Sequence, residues 1–230
     1  MLRLAELWRY PIKSLAGERL ASATVDMRGL EGDRRWALVD GGGGIASGKT
    51  TRRFRKVPGL LHHRSRLDGD QPVLTHADGR SARGGIAELD ALVAEIAPSG
   101  WSLQSEGPTS HFDDGSVHVV TTATLATLSA AAGDPLAVER LRPNLLIAVD
   151  STTSFPEDDW LARSLRIGTV ELRVTKRAER CVMVGHTQDR LARRPTVLKT
   201  IGRINGACAG VYAEVTTPGK LAQGDTVQIV

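Results

Sequence analysis

The sequence predicts a mainly β protein with some α-helix, in which the strands close into a barrel. Two observations support this fold class. Short segments rich in Val, Ile, Leu and Thr recur along the 230 residues, separated by glycine-rich or charged turns, and segments of this length and composition form strands. Helical periodicity occurs at only a few places. Strands are therefore expected to form the core, with helices as connections.

The first part of the chain is expected to be a β-rich region over residues 1–85. A helix should follow between Gly84 and Pro98, because Leu89, Leu92, Val93 and Ile96 recur at the spacing of one helical face. A second region over residues 95–230 then begins. The predicted strands of the first region are the segments LRLAELWRYP, RLASATVD, RRWALVD and PVLTH.

The second region should contain two further helices. In SVHVVTTATLATLSAAAG a strand leads into a helix, with Thr122 or Thr124 as the N-cap and Gly133 as the stop. Another helical stretch is possible from Pro195 to Ile204. The remaining strands are predicted in RPNLLIAVD, TVELRVTKRAERCVMV, CAGVYAEVT and DTVQIV.

Composition narrows the function classes. Hydrophobic residues make up 41% and charged residues 24%, as in ordinary globular proteins. The net charge of +4 is spread along the chain, which is weak support for nucleic-acid binding and suits an anionic small ligand equally well. We expect no nucleic-acid partner. The longest apolar run, Leu145–Val149, is far too short to cross a bilayer, and the segment MLRLAELWRYPIKS does not have a basic region followed by an apolar region, as a signal peptide would. We therefore expect a cytoplasmic protein without membrane contact.

Residues Gly43–Thr50, GGIASGKT, satisfy the P-loop pattern and follow the strand-like WALVD. A P-loop lysine begins a helix whose amides hold the phosphates. Here TTRRFRKV and Pro58 follow Lys49, without an apolar stripe that could pack a helix against the core. The four glycines Gly41–Gly44 therefore favour a hairpin turn.

Cys181 is one of only two cysteines, and it lies in AERCVMVG, within a strand-like run. Arg180, Arg177 and Lys176 are close by, and cations favour the thiolate form that binds metals. The alternative is a buried cysteine that packs as a small hydrophobe. The spacing of residues around Cys181 does not decide between these interpretations.

Five motifs follow one another along nearly the whole chain. They are YPIKSLAGERL, GLEGDRRWALVD, RLRPNLLI, FPEDDWLARSLRIGTVELRVTKRAERCVMV and AGVYAEV. Together they resemble the MOSC family, in particular its two-part members with an N-terminal β-barrel region. The nearest functional relatives would be the mitochondrial amidoxime-reducing component and its bacterial counterparts.

This resemblance implies that the protein binds a molybdenum–molybdopterin cofactor (Moco) and that Cys181 is both the metal ligand and the catalytic residue. A soft sulfur donor suits such a metal. For each basic residue the alternative is a solvated surface charge, and Asn144 could instead tie down a backbone turn. The residues implied around the cofactor are Lys13, Ser14, Arg34, Arg142, Asn144, Arg180 and Tyr212, with Ser116 nominated where the family has a small hydroxyl residue.

Four other residues have their own expectations. Trp160 and Phe155 should be core residues, and Cys208 should be a buried small residue without a ligand role. Glu179 departs from relatives that can have serine before the arginine, and it places an anion near an anionic cofactor. Fine specificity is therefore expected to differ.

The implied activity is reduction of an N-hydroxylated small molecule, with electrons from a separate donor protein because the chain lacks a four-cysteine cluster motif. A second hypothesis is a non-catalytic carrier of the cofactor, or of sulfur on Cys181. A third is a P-loop nucleotidase that depends on Lys49. At the family level the resemblance also implies pyridoxal phosphate binding, for which no residue is assigned.

Overall fold

The computed structural model describes all 230 residues, and strands dominate it as the sequence predicts. The helices are α1 (Ala87–Ile96), α2 (Thr122–Ala132) and α3 (Thr196–Asn205). The strands are β1 (Arg3–Arg9), β2 (Glu18–Leu20), β3 (Ser22–Asp26), β4 (Gly29–Leu30), β5 (Trp36–Val39), β6 (Ile45–Ser47), β7 (Phe54–Lys56), β8 (Arg64–Asp68), β9 (Gln71–Thr75), β10 (Ser81–Arg83), β11 (Ser102–Ser105), β12 (Val117–Thr121), β13 (Leu145–Ala148), β14 (Ser164–Ile167), β15 (Val170–Glu179), β16 (Cys208–Thr217), β17 (Gly219–Ala222) and β18 (Val227–Ile229).

The largest sheet has eight strands in the order β18-β14-β15-β16-β12-β13-β1-β2. All its pairs are antiparallel except β12 with β13. Strand β1 also meets the segment before β18, where Arg3 and Thr226 form a bridge and the Leu4 amide donates to the Asp225 carbonyl at 2.9 Å. The sheet therefore curls around a core of 19 buried residues. The predicted barrel is joined at this point by a bridge and not by a full strand ladder.

Three smaller sheets complete the fold, with the orders β11-β5-β6-β7, β10-β9-β8 and β17-β3-β4. The glycine-rich segment is a hairpin turn between β5 and β6, as predicted, and Asp40 caps it by accepting the amides of Gly42 and Gly44 at 2.9 and 2.7 Å. Strand β7 follows, and the next α-helix begins only at Ala87. The helix that a P-loop requires after Lys49 is not formed, which contradicts the nucleotidase hypothesis.

The three predicted helices are confirmed, with one correction. The four apolar residues predicted to form one face of α1 are all buried. The N-cap of α2 is Thr121, because this residue is extended and its hydroxyl accepts the Thr124 amide at 3.1 Å. The prediction of Thr122 or Thr124 was wrong, since both lie inside the helix. Gly133 ends α2 in the left-handed conformation, as predicted.

The two halves of the chain share sheets. Strands β1 and β2 belong to the large sheet beside β13, and β3 pairs with β17. The division at residues 85–95 stays a prediction. The loops after β1, β6 and β11 meet β12, the end of β15 and the middle of β16 at the seam between the halves, where a cleft opens. None of the helices has the length and apolar character needed to cross a membrane.

Candidate functional site

The cleft at this seam has a volume of about 380 Å³. Residues far apart in sequence meet there because β1, β13, β12 and β16 are neighbours in the large sheet. Of the predicted site residues, the structure brings together Lys13, Ser14, Arg34, Arg142, Asn144, Arg180, Cys181 and Tyr212. Ser116 is the exception, because its hydroxyl points to the Ala213 carbonyl, to which it donates at 3.1 Å.

The base of the cleft is built on the buried ring of Tyr10. The guanidinium groups of Arg34 and Arg142 lie 4.7 and 4.3 Å from the ring centroid, and the Tyr10 hydroxyl donates to the Pro143 carbonyl at 3.1 Å. Asp33 is fully buried, accepts the Tyr10 amide at 2.8 Å and forms an ion pair with Arg34. The two arginines are thus fixed by aromatic stacking and, for Arg34, by a buried counter-ion.

Arg142 keeps its hydrogen-bond donors free for a ligand. Its side chain forms neither a hydrogen bond nor an ion pair with the protein, although the residue is only 9% exposed. Burial lowers the pKa of Arg142 to about 10, so the group remains cationic at neutral pH. A buried guanidinium without a partner is costly, and an anion in the cleft would offset that cost.

Three residues of the cleft have a strained backbone. Ser14, Arg34 and Arg142 have φ values of 64°, 48° and 51°, in the left-handed region that side chains disfavour. Only seven non-glycine residues in the protein have positive φ. Such strain tends to concentrate at functional sites, where the surrounding structure fixes it.

Two lysines share one carboxylate at the opposite wall. Lys13 and Lys49 donate to different oxygens of Asp113, each at 2.8 Å. Lys13 is only 3% exposed, and burial lowers its pKa to about 8 although Asp113 acts in the other direction. Burial would raise the pKa of Asp113, but the two ammonium groups outweigh it and hold the pKa well below its usual range.

Asn144 and His118 support the cleft from behind. The Asn144 amide donates to the Trp8 carbonyl at 3.2 Å, and its oxygen accepts from the His118 amide at 3.1 Å. Asn144 therefore ties β1 to β12, whereas the structural alternative considered from sequence was that it ties down a backbone turn. Burial, with a further contribution from Arg180, lowers the pKa of His118 well below its ordinary value. His118 is therefore neutral at pH 7.

Cys181 lies at the rim of the cleft. Strand β15 ends at Glu179, and Cys181 precedes a 3-10 turn over Val182–Gly185, so the prediction that it lies within a strand was wrong. The strand stops there because the Arg180 amide donates to the Ala207 carbonyl, and Arg180 Nη2 binds the Leu141 carbonyl at 2.7 Å. The Cys181 side chain is half-buried and lines the cleft.

The segment after Cys181 is held by Arg140, a residue that the sequence reasoning missed. Arg140 is 5% exposed and donates to the carbonyls of Val184, His186 and Ala192 at 3.4, 3.1 and 2.5 Å. A single side chain thus fixes the path of the backbone beyond the thiol. The only signal in the sequence is its place in RLRPN, where the motif singles out Arg142 instead.

The remaining expectations have mixed outcomes. Trp160 and Phe155 are buried in two different apolar cores, as predicted. Cys208 is half-buried, and its thiol reaches the Gly206 carbonyl at 3.7 Å, so the expected full burial was wrong. It begins β16 at the sheet end, where the chain turns out of α3. Glu179 lines the cleft and is exposed.

Sequence reasoning also missed Lys49, Asp113 and His118 as residues of the cleft. Lys49 was considered only as a P-loop lysine, and a lone histidine in a strand gives no signal. Asp113 lies three residues before Ser116, which was nominated at the position where the family has a small hydroxyl residue. Its role depends on pairing with lysines from distant segments, which a single sequence does not show.

The residues present fit an anionic cofactor that contributes a soft metal. Five cationic and three anionic side chains line the cleft. Arg180 Nε is buried without a hydrogen-bond partner, and the side chain of the buried Arg142 donates no hydrogen bond within the protein. Ser14 and Ser47 place buried hydroxyl groups 3.5 Å apart beside Lys13. Together with the Cys181 thiol, these groups form a donor set for phosphate, a polar ring edge and a soft metal.

The chain belongs to the MOSC family. The profile of the MOSC domain matches residues 106–228, and MOSC domains are generally associated with molybdenum-cofactor binding and sulfurase-like function. Within this family the chain also contains the MOSC N-terminal beta barrel domain, which matches residues 1–111. Both regions contribute residues to the cleft.

The YuaD structure supports this fold, and a second solved structure is similar to part of the chain. The YuaD protein from Bacillus subtilis superposes with a TM-score of 0.56 at 14% identity, over 100% of this chain and 96% of that one. YiiM from Geobacillus stearothermophilus is 19% identical with a TM-score of 0.41, over 51% of this chain and 55% of that one. At these identities the likeness concerns the fold alone. No curated protein matches this chain.

Proposed function

We propose that the protein is a molybdenum-cofactor-dependent oxidoreductase that reduces N-hydroxylated small molecules. The observation that carries this proposal is the Cys181 thiol at the rim of a cleft with five cationic side chains. A thiolate provides a soft ligand for the metal, and the cations provide partners for an anionic cofactor. Membership in the MOSC family supports the class of cofactor.

The residues of the cleft would have separate roles in binding the cofactor. Arg34 and Arg142, fixed on Tyr10, would bind and orient the anionic part of the cofactor, because their positions are set before it arrives. Arg180 would place an unpaired Nε–H beside it. Cys181 would ligate the metal. The bound cofactor would supply the redox chemistry.

Protons for the reaction could come from the cleft itself. Reduction of an N–OH group consumes electrons and protons and releases water. Lys13 can hold or release a proton at Nζ near neutral pH, since burial brings its pKa to about 8. His118 is neutral and buried, so only one of its ring nitrogens donates, to the carbonyl of either Arg142 or Ala209, and its role is to support the backbone there. Electrons would come from a separate donor protein.

A carrier function is the second candidate. Val182, directly after Cys181, is an apolar residue with 50% exposure, so the thiol lies next to a surface that another protein could contact. In this case the same thiol would pass on sulfur or cofactor without turnover of a substrate. Exchange of the cofactor without reduction of N-hydroxylated compounds would favour the carrier.

The test is molybdenum content and N-hydroxy reductase turnover with an artificial electron donor, on protein from a host that makes the cofactor. Cys181→Ser should fold but lose turnover, whereas the matched control Cys208→Ser should keep both metal and turnover, because Cys208 does not line the cleft. Absence of molybdenum from the wild type, or full turnover in Cys181→Ser, would contradict the proposal.

A further inference from the structure

Asp113 occupies an unusual position for a loop residue in a cationic cleft. Its carboxylate joins the ammonium groups of Lys13 and Lys49, one to each oxygen, with both distances at 2.8 Å. The two lysines come from different segments, after β1 and after β6, and both rest against the Phe54 ring at 4.4 and 5.3 Å. The carboxylate therefore fills a preformed place for an oxyanion.

The loop that holds Asp113 is attached mainly by its backbone. Arg53 donates to the carbonyls of Ser110, Phe112 and Asp113 at 3.2, 3.0 and 2.9 Å. The Asp113 side chain is 41% exposed, whereas the Lys13 side chain is 3% exposed. The carboxylate can thus turn to solvent without rebuilding the loop, while Lys13 cannot leave the cleft.

We infer that Asp113 is an internal counter-ion that occupies, in the free protein, the subsite between Lys13 and Lys49 that an oxyanion of the ligand takes in the complex. This inference rests on the proposed function, because it takes the ligand to be a phosphate-bearing cofactor. A phosphate group presents several oxygens on one atom, as the carboxylate presents two, and matches both lysines at once.

The Asp113 carboxylate and the anion of the ligand would compete for the same two lysines. A free buried ammonium group is costly, so Asp113 stabilises the protein before the ligand binds. Binding must displace the carboxylate, which lowers the apparent affinity for the anion. Asp113 also lowers the positive charge of the cleft, so ions of weak affinity are excluded while a ligand with further contacts to Arg34 and Arg142 can bind.

The test measures sulfate binding to cofactor-free protein by isothermal titration calorimetry at pH 6. This pH lies below the Lys13 pKa of about 8, which favours the cationic form although loss of Asp113 lowers that pKa further, and sulfate keeps a constant charge. Asp113→Asn should bind sulfate about tenfold more tightly than the wild type, the size of effect expected for one close charge pair. Asp113→Ser should bind sulfate with a similar gain in affinity, which shows that the effect comes from loss of the carboxylate and not from the asparagine introduced.

Asp114→Asn is the matched control. Asp114 neighbours Asp113, lines the same cleft, and carries the same charge, but it pairs with the half-exposed Lys176. Its removal should change sulfate affinity by less than about twofold, since exposed charges are screened. Weaker binding in Asp113→Asn, or equal effects of Asp113→Asn and Asp114→Asn, would overturn the inference.

Failure of this inference is separable from failure of the proposed function. The sulfate experiment uses no molybdenum and no substrate. Tighter sulfate binding in Asp113→Asn together with a wild type that never contains molybdenum would keep the subsite and reject the cofactor. A wild type that contains molybdenum and is active, together with unchanged sulfate binding in Asp113→Asn, would keep the cofactor and reject the subsite.

Discussion

The base and the rim of the cleft are built in different ways. At the base, Tyr10, Asp33, Arg34 and Asn144 are all buried or nearly so and are bonded to one another or to backbone. At the rim, Cys181 is half-buried, Val182 is exposed, and Asp113 is held through a partly exposed side chain. The base has a fixed geometry, whereas the rim can change its contacts.

This difference separates binding from chemistry. Arginines with positions set in advance lose little side-chain entropy when an anion binds. A thiol and an exchangeable carboxylate at the rim can respond when the ligand arrives. The strained backbone of Arg34 and Arg142 belongs to the base, where dense packing can support it. We therefore expect substitutions at the base to affect stability most and those at the rim to affect ligand binding most.

The largest stability effect should come from Asp33→Ala. This change leaves Arg34 without its buried counter-ion and the Tyr10 amide without an acceptor, so the free energy of unfolding should fall by about 3–5 kcal/mol. Urea denaturation measures it. The control Asp114→Ala breaks a half-exposed ion pair with Lys176 and should cost less than about 1 kcal/mol. Equal losses would remove the distinction between base and rim.

A smaller loss is expected for Arg140→Met, which leaves the carbonyls of Val184, His186 and Ala192 without this donor. The cost should be about 1–3 kcal/mol, and amide hydrogen exchange should become faster over residues 182–192, where Arg140 fixes the chain. Arg203→Met is the control, since Arg203 makes a single exposed bond of 3.4 Å. Unchanged exchange in Arg140→Met would show that other contacts hold the Cys181 segment.

The third effect is on pH dependence and is the smallest in free energy. Lys13 has a pKa of about 8 because of burial, so it is cationic below that pH and loses its charge as pH rises through it. Sulfate affinity should therefore fall by up to about tenfold between pH 7 and 9. Lys49 stays charged, because Asp113 raises its pKa despite the opposing effect of burial.

This titration is best done in the Cys181→Ser background, which removes the thiol from the cleft. Asp113 stays ionised over this range because its pKa is held low, and His118 stays neutral. Lys13→Met in the same background should bind sulfate weakly at every pH and remove the slope. A slope that persists in Lys13→Met would assign the titration to another group.

Much of the fold could be predicted from local sequence patterns, and much of the site from family motifs. The apolar spacing of Leu89 and Leu92 predicts α1, and Gly41–Gly44 predict the hairpin, because both depend on neighbouring residues. Which threonine caps α2 depends on the direction of one hydroxyl group, which three threonines in close succession do not reveal. Cys181 and the predicted arginines could be assigned to the site from sequence because each belongs to a family motif, and the fold brings them together in the cleft.

The contacts that sequence did not predict join distant segments. Asp113 pairs with Lys13 and Lys49 across the seam between the halves, and Arg140 reaches carbonyls beyond Cys181. No spacing rule connects such positions. Ser116, which lies just before β12, does not line the cleft because its hydroxyl donates to the Ala213 carbonyl of β16, another contact between distant segments.

The central claim is that Cys181 binds molybdenum, and X-ray absorption at the molybdenum edge tests it most directly. Wild type and Cys208→Ser should show the same number of sulfur neighbours around the metal. Cys181→Ser, loaded with the same cofactor, should show one sulfur neighbour fewer and an added oxygen or nitrogen. An unchanged sulfur count in Cys181→Ser would show that the thiol does not bind the metal.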